Sequence, residues 1–244
     1  MLRDKKVLFM GQSAVIFDFD GVIADTESLH HQTYNHTLAR HAALIGGPLE
    51  IPHAAYLAKY IVYGNREGFF HMLRDAGRPH DDPLLQTLCD AKDRIFGEEL
   101  HRVAEPLPGV RRVLAWLEQQ NIPRAICSGA TRADIVHLLD AFQLRHHFDV
   151  IVAIEDVSWG KPNPEGYNKA FDLLNLEYDA ELVKKRSLVI EDSAGGCSAA
   201  KAAGIPVLGV ATSLSLQEVQ RHADHALKDL SQLDFAEFAT WLGI

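Results

Sequence analysis

Ser13-Ala14-Val15-Ile16-Phe17-Asp18-Phe19-Asp20-Gly21 opens with a short apolar run of β-favouring residues that stops at Asp18 and turns polar at Asp20-Gly21. A run of this kind, without polar alternation, reads as a strand buried on both faces and running into a turn. Similar runs recur at Arg124–Cys127, Val150–Ala153, Leu188–Ile190 and Val207–Val210. Helical spacing lies between them. Val110, Val113, Leu114 and Leu117 follow the Pro108-Gly109 break, and Ile135, Leu138, Leu139 and Phe142 repeat the pattern. Strands alternating with helices predict an α/β fold built on a doubly wound parallel sheet. Ligands of such a sheet gather at the carboxyl ends of its strands.

One stretch departs from the alternation. Between Glu27 and Glu105 no strand is convincing, and Thr33–Ala43, Ala54–Tyr63, Gly68–Ala76 and Leu84–His101 are candidate helices. The expectation is therefore an all-helical domain over residues 27–105, inserted into an α/β core of residues 1–26 and 106–244. Met1–Gln12 reads as an added strand or a tail.

With 244 residues, 47% hydrophobic and 23% charged, the composition is that of a globular chain with a sizeable core, which excludes disorder and a disulfide scaffold. The net charge of −9 lacks the basic footprint of a nucleic-acid or anionic-membrane partner. Cys89, Cys127 and Cys197 are scattered, odd in number and without CxxC spacing, so they read as buried thiols in a reducing compartment. No apolar run reaches the length of a membrane span or of a signal segment, and the expectation is a cytoplasmic protein.

Four clusters follow predicted strands. Asp18 and Asp20 stand two apart at a strand end, where a turn lets both flank one point; alone the pair reads first as solvated turn carboxylates. Ser128-Gly129 offers a hydroxyl and bare backbone N–H groups to an anion, and reads equally as an N-cap. Lys161 is fixed between Gly160 and Pro162 ahead of a helix. Glu191-Asp192 are poor core residues unless paired or metal-bound, and oxygen ligands without thiolate favour Mg²⁺. Gly196, Ala199, Ala200 and Gly204 behind them permit close helix packing.

The order of the clusters is more specific than any one of them. With the DFDGVIADTE run of Asp18–Glu27, Ser128, the GKPxP run of Gly160–Pro164 and EDSxxGxxAAxxAG of Glu191–Gly204, the chain resembles the haloacid dehalogenase superfamily. The likeness is to the branch of β-phosphoglucomutase and phosphoglycolate phosphatase, whose helical cap the insert resembles. That resemblance implies a nucleophile at Asp18, which becomes an aspartyl-phosphate, and an acid/base at Asp20. It implies phosphoryl-oxygen ligands at Ser128, Gly129 and Lys161, and Mg²⁺ held by Asp18, the Asp20 backbone carbonyl and Asp192. Glu191 would help through a water or from behind the ligands. Superfamily members that displace halide from carbon lack the second aspartate, so Asp20 favours phosphoryl transfer.

The implied function is a Mg²⁺-dependent phosphatase acting on a small phosphorylated metabolite, with a monomer as the default state. The alternative is a β-phosphoglucomutase-like mutase, for which Arg66 stands near the place of a cap arginine but without the flanking serines. A catalytically silent phosphate-binding protein is the remaining alternative. Glu27 reads as a substrate contact or a helix cap; Tyr63, Phe69 and Phe70 as pocket wall or core. The 13 histidines show no metal-site spacing and read as solvated or packed.

Overall fold

The computed structural model describes residues 12–61, 63–102 and 105–244; the expectation for Met1–Gln12 falls almost wholly outside them. The chain divides into two compact units, one of residues 12–25 with 105–244 and one of residues 26–102.

The first unit is built on six parallel strands: β1 (Val15–Phe17), β2 (Arg124–Cys127), β3 (Val150–Val152), β4 (Leu188–Glu191), β5 (Val207–Val210) and β6 (His225–Leu227), in the order β3-β2-β1-β4-β5-β6. Val15, Ile16 and Phe17 are fully buried, which is why β1 shows no polar alternation. Its central place sets the register that matters: Phe17 lies opposite Ile126 on one side and Ile190 on the other. The sheet reverses direction of growth beside β1, so this is the switch point where a crevice forms. Strand β6 had no signal in the sequence, because a three-residue, half-buried edge strand needs neither length nor an apolar run.

The helices of this unit are α5 (Val110–Gln119), α6 (Arg132–Ala141), α7 (Glu165–Tyr178), α8 (Ala194–Ala202), α9 (Leu216–His222) and α10 (Phe235–Trp241). Val110, Val113, Leu114 and Leu117 are buried as their spacing requires, and burying each such side chain contributes about 1.5–3 kcal/mol. Thr131 caps α6 and Ser193 caps α8, each accepting a backbone N–H from the first turn.

The second unit contains α1 (Glu27–Arg40), α2 (His53–Lys59), α3 (Asn65–Asp75) and α4 (Asp82–Glu99), with no strand among its described residues. Tyr34, Leu38, Phe69, Met72, Leu73 and Leu88 belong to its apolar core. Helix α1 starts six residues before the expected Thr33, because Glu27 to Gln32 are polar enough to hide the apolar stripe. Phe69 is a core residue, with Tyr63 and Phe70 packed against the same cluster. Asp81 caps α4 by accepting the Leu84 N–H, and Pro83 occupies the first turn, where its missing N–H costs nothing.

Candidate active site

Because Phe17, Ile126 and Ile190 are in register, the residues just beyond them emerge together at one end of the sheet. These are Asp18, Ser128 and the pair Glu191-Asp192, all buried. The Asp18 N–H donates to the Ile190 carbonyl at 2.9 Å, which extends the ladder by one bond and fixes the start of its side chain. The loop between β3 and α7 brings Lys161 to the same point. Its Nζ lies 2.7 Å from Asp18 Oδ1 and 2.6 Å from Glu191 Oε1.

Residues 19–24 fold back at once. The Phe19 carbonyl accepts the N–H groups of Ile23 and Ala24, and Gly21 donates to the Ala24 carbonyl at 2.8 Å. Gly21 has φ +72°, and a Cβ there would lie 1.8 Å from Asp192 Oδ2, so glycine is required by both backbone and neighbour. This turn brings Asp20 back to the strand ends, where Ser128 Oγ donates to its Oδ2 at 3.3 Å. The Ala130 N–H donates to Ser128 Oγ at 3.0 Å. Gly129 sits at an exposed position with open space where a Cβ would be, so its contribution is a backbone N–H rather than a required small size.

Glu191 is fully buried and saturated. Oε1 accepts from Lys161 and, at 2.8 Å, from the Tyr167 hydroxyl. Oε2 accepts the N–H groups of Asp192 and Ser193 at 2.9 and 3.0 Å, and the Ser193 hydroxyl at 3.0 Å. Burial alone would raise its pKa, but Lys161 and these donors hold it below the ordinary carboxylate value. Gly196 follows from this arrangement, since a Cβ there would meet Glu191 Oε1 at 1.6 Å.

Asp18, Glu191 and Asp192 bring ligand oxygens within 4.8 Å of one another. One ammonium among three buried carboxylates leaves an excess of negative charge. Burial, then the neighbouring Glu191, pushes Asp192 up to about 7. Burial also raises Asp18 well above its usual value, with Lys161 opposing. For Lys161 burial acts downward, yet Asp18 and Glu191 hold its pKa above the usual lysine value, so it stays charged. A cluster of carboxylate oxygens short of positive charge fits a hard divalent cation.

Sequence reasoning missed three hydroxyl residues at this site. Ser213 and Thr212 donate to Asp192 Oδ2, and Thr212 also to the Gly21 carbonyl. Their position just beyond β5 is a signal, since ligands gather at strand ends. Tyr167 carried none, because it sits on the buried face of α7 and reads as core.

Glu27 and Arg66 belong to the helical unit and are described there. Glu27 opens α1 and accepts the Tyr56 hydroxyl. Arg66, on α3, pairs with Asp82 at 2.6 Å, both side chains being exposed.

A doubly wound sheet that gathers two aspartates, a lysine and an acidic pair at its strand ends defines a hydrolase of a particular kind. The chain belongs to the haloacid dehalogenase-like hydrolase family, whose profile matches residues 15–210. It is 32% identical over 206 residues to a phosphorylated carbohydrates phosphatase of Thermotoga maritima, spanning 83% of this chain and 87% of that one. It is also 32% identical to the plasmid-borne protein CbbY of Cupriavidus necator, over 84% of this chain and 80% of that one. Among solved structures it is similar to CbbY from Rhodobacter sphaeroides in complex with xylulose-(1,5)bisphosphate. The TM-score is 0.73 at 26% identity, covering 91% of this chain and 96% of that one. Among the described residues no helix is long and apolar enough to cross a membrane.

Proposed function

We propose that this protein is a phosphatase that hydrolyses a small phosphate monoester, a sugar phosphate or similar metabolite, through an aspartyl-phosphate on Asp18. The observation that carries this is the Lys161 ammonium, which sits 2.7 Å from Asp18 and opposes the rise that burial imposes on the pKa of that carboxyl. Family membership and the phosphorylated carbohydrates phosphatase of Thermotoga maritima support it.

Asp18 attacks phosphorus, and the departing alkoxide takes the proton of Asp20. Asp20, now a carboxylate, accepts a proton from the water that attacks the acyl phosphate, releasing inorganic phosphate and restoring Asp18. The Ser128 hydroxyl contact to Asp20 supports a shared position at the reacting centre. Ser128, the Gly129 N–H and Lys161 hold the transferring oxygens, whose repulsion by Asp18 costs about 4 kcal/mol per charge pair at 4 Å and an effective dielectric near 20.

Asp18, Asp192 and the Asp20 carbonyl would hold Mg²⁺, with Glu191 acting from behind because its oxygens are already committed. When bound, the ion offsets the negative charge that otherwise repels a phosphate dianion. Three free, buried cysteines support a reducing, cytoplasmic setting, and the chain acts as a monomer. Arg66, on which a mutase reading rests, is engaged by Asp82 and adds no support to it.

Phosphorus NMR of the protein with Mg²⁺, a mixture of sugar phosphates and a trace of glucose 1,6-bisphosphate tests this reading. Free phosphate growing at the expense of one ester is expected, and Asp18→Asn abolishes it. A new phosphomonoester without free phosphate would replace the phosphatase by a mutase.

A further inference from the structure

The helical unit holds a second place where ligand atoms converge, and nothing in the proposed hydrolysis uses it. His31 on α1 and His53, the first residue of α2, bring their Nδ1 atoms to 3.4 Å from each other. The rings are inclined at 66° with centroids 4.9 Å apart, so they do not stack. An N···N separation of 3.4 Å is long for a hydrogen bond. It matches two nitrogen ligands of one tetrahedral ion, since Zn–N bonds of about 2.05 Å place such atoms about 3.3 Å apart.

The tautomer of His31 points the same way. Its Nε2 lies 2.7 Å from the Ile51 carbonyl oxygen, which has no proton to give, so Nε2 donates there, and Asn35 Nδ2, 3.1 Å from the same nitrogen, directs its hydrogen to that carbonyl as well. Ile51 is itself clamped by Asn35, whose Oδ1 accepts the Ile51 N–H at 2.8 Å and whose Nδ2 donates to the Ile51 carbonyl at 3.0 Å. His31 Nδ1 is left with its lone pair directed toward His53. A ring N–H held on a backbone carbonyl is the arrangement that orients metal-bound imidazoles. The Tyr56 ring packs against His31 at 5.1 Å, which further limits its rotation. His53 is exposed, and its Nδ1 offers a lone pair to an ion in the tautomer that carries the ring hydrogen on Nε2.

We propose that His31 and His53 form a seat for a borderline divalent transition-metal ion of the zinc or copper class. The ion is bound through the two neutral Nδ1 atoms, with solvent in the remaining positions. Imidazole nitrogens select such ions over Mg²⁺, which prefers oxygen, so Mg²⁺ at the acidic cluster leaves this seat open. The pair is invisible in the sequence because the two histidines lie 22 residues apart and meet only when α2 follows Pro52 back to α1.

The test is calorimetric titration of zinc chloride into the full chain in excess Mg²⁺, which keeps the acidic cluster occupied. One zinc equivalent in the micromolar range is expected, weakened about tenfold or more in both His53→Gln and His31→Gln. It is retained in His71→Gln, a control elsewhere in the same unit. Because His53 is exposed, its variant remains informative even if His31→Gln disturbs the Ile51 contact. Zinc heats in His53→Gln equal to those of the unmodified protein, or no zinc binding in Mg²⁺, would overturn the proposal.

Discussion

The Lys161 ammonium and the Tyr167 hydroxyl meet on a single oxygen, Glu191 Oε1, at 2.6 and 2.8 Å. Glu191 thereby passes the position of a core helix residue to the lysine that faces Asp18. Removing that hydroxyl with Tyr167→Phe takes one donor from a buried, charged acceptor. The expected loss is about 1–3 kcal/mol of unfolding free energy in urea, with turnover lowered several-fold and KM little changed. An unchanged urea midpoint would show the hydroxyl to be idle.

Asp20 is assigned the proton that leaves with the alcohol and the proton taken from water. Asp20→Asn is expected to lower turnover of an alkyl phosphate about 10²–10⁴-fold. With an aryl phosphate the first step no longer needs an acid, while the second still needs a base. Intact-protein mass spectrometry of the quenched reaction then shows one added phosphoryl group on the chain.

Asp192 marks the charge imbalance of the site. Its folded-state pKa, pushed up to about 7 by burial and Glu191, exceeds the ordinary carboxylate value. The penalty of ionising it is absent in acid and complete once pH rises past that value. At pH 8 without divalent cation, Asp192→Asn is expected to raise the thermal midpoint by several degrees. Added Mg²⁺ stabilises the unmodified protein but not this variant, as a thermal-shift titration will show.

In the helical unit, His30 stacks on Phe96 with ring centroids 4.2 Å apart, and its Nδ1 lies 3.0 Å from the Lys92 ammonium. Burial, then Lys92, lowers its pKa to about 3. The neutral imidazole therefore contributes stability that is complete above the unfolded value near 6.5. That contribution is lost as pH falls toward 3, by at most about 1.4 kcal/mol per pH unit. His30→Gln, which keeps an acceptor for Lys92, is expected to flatten stability measured by urea denaturation between pH 6.5 and pH 4.

Much of the sheet was legible because buried parallel strands are short apolar runs, and β1 to β5 each carry one. Strand β6 is half-buried and announced nothing. Asp18, Glu191 and Asp192 were legible because carboxylates are out of place beside such runs, whereas Lys161 was marked by the GKPxP run and by the order of the four clusters. Tyr167 and Ser213 were not, since a tyrosine on an apolar helix face and a serine in a loop fit bland surroundings equally well. What distinguishes them is a partner 24 residues away for Tyr167 and 21 residues away for Ser213, which only the fold supplies. The His31–His53 approach was hidden for the same reason. The α1 boundary was misplaced because its first turn is polar, so periodicity began late.

The strand order has a consequence for the growing chain. β1 is translated first, yet its neighbour β4 follows some 170 residues later. At about 5–20 residues per second, Asp18 joins the chain roughly 9–35 s before Asp192 does. For most of that interval Asp18 has no Lys161 beside it, and for nearly all of it neither Glu191 nor Asp192. Asp18, Lys161 and the Glu191-Asp192 pair therefore come together only once β4 has been made and pairs with β1.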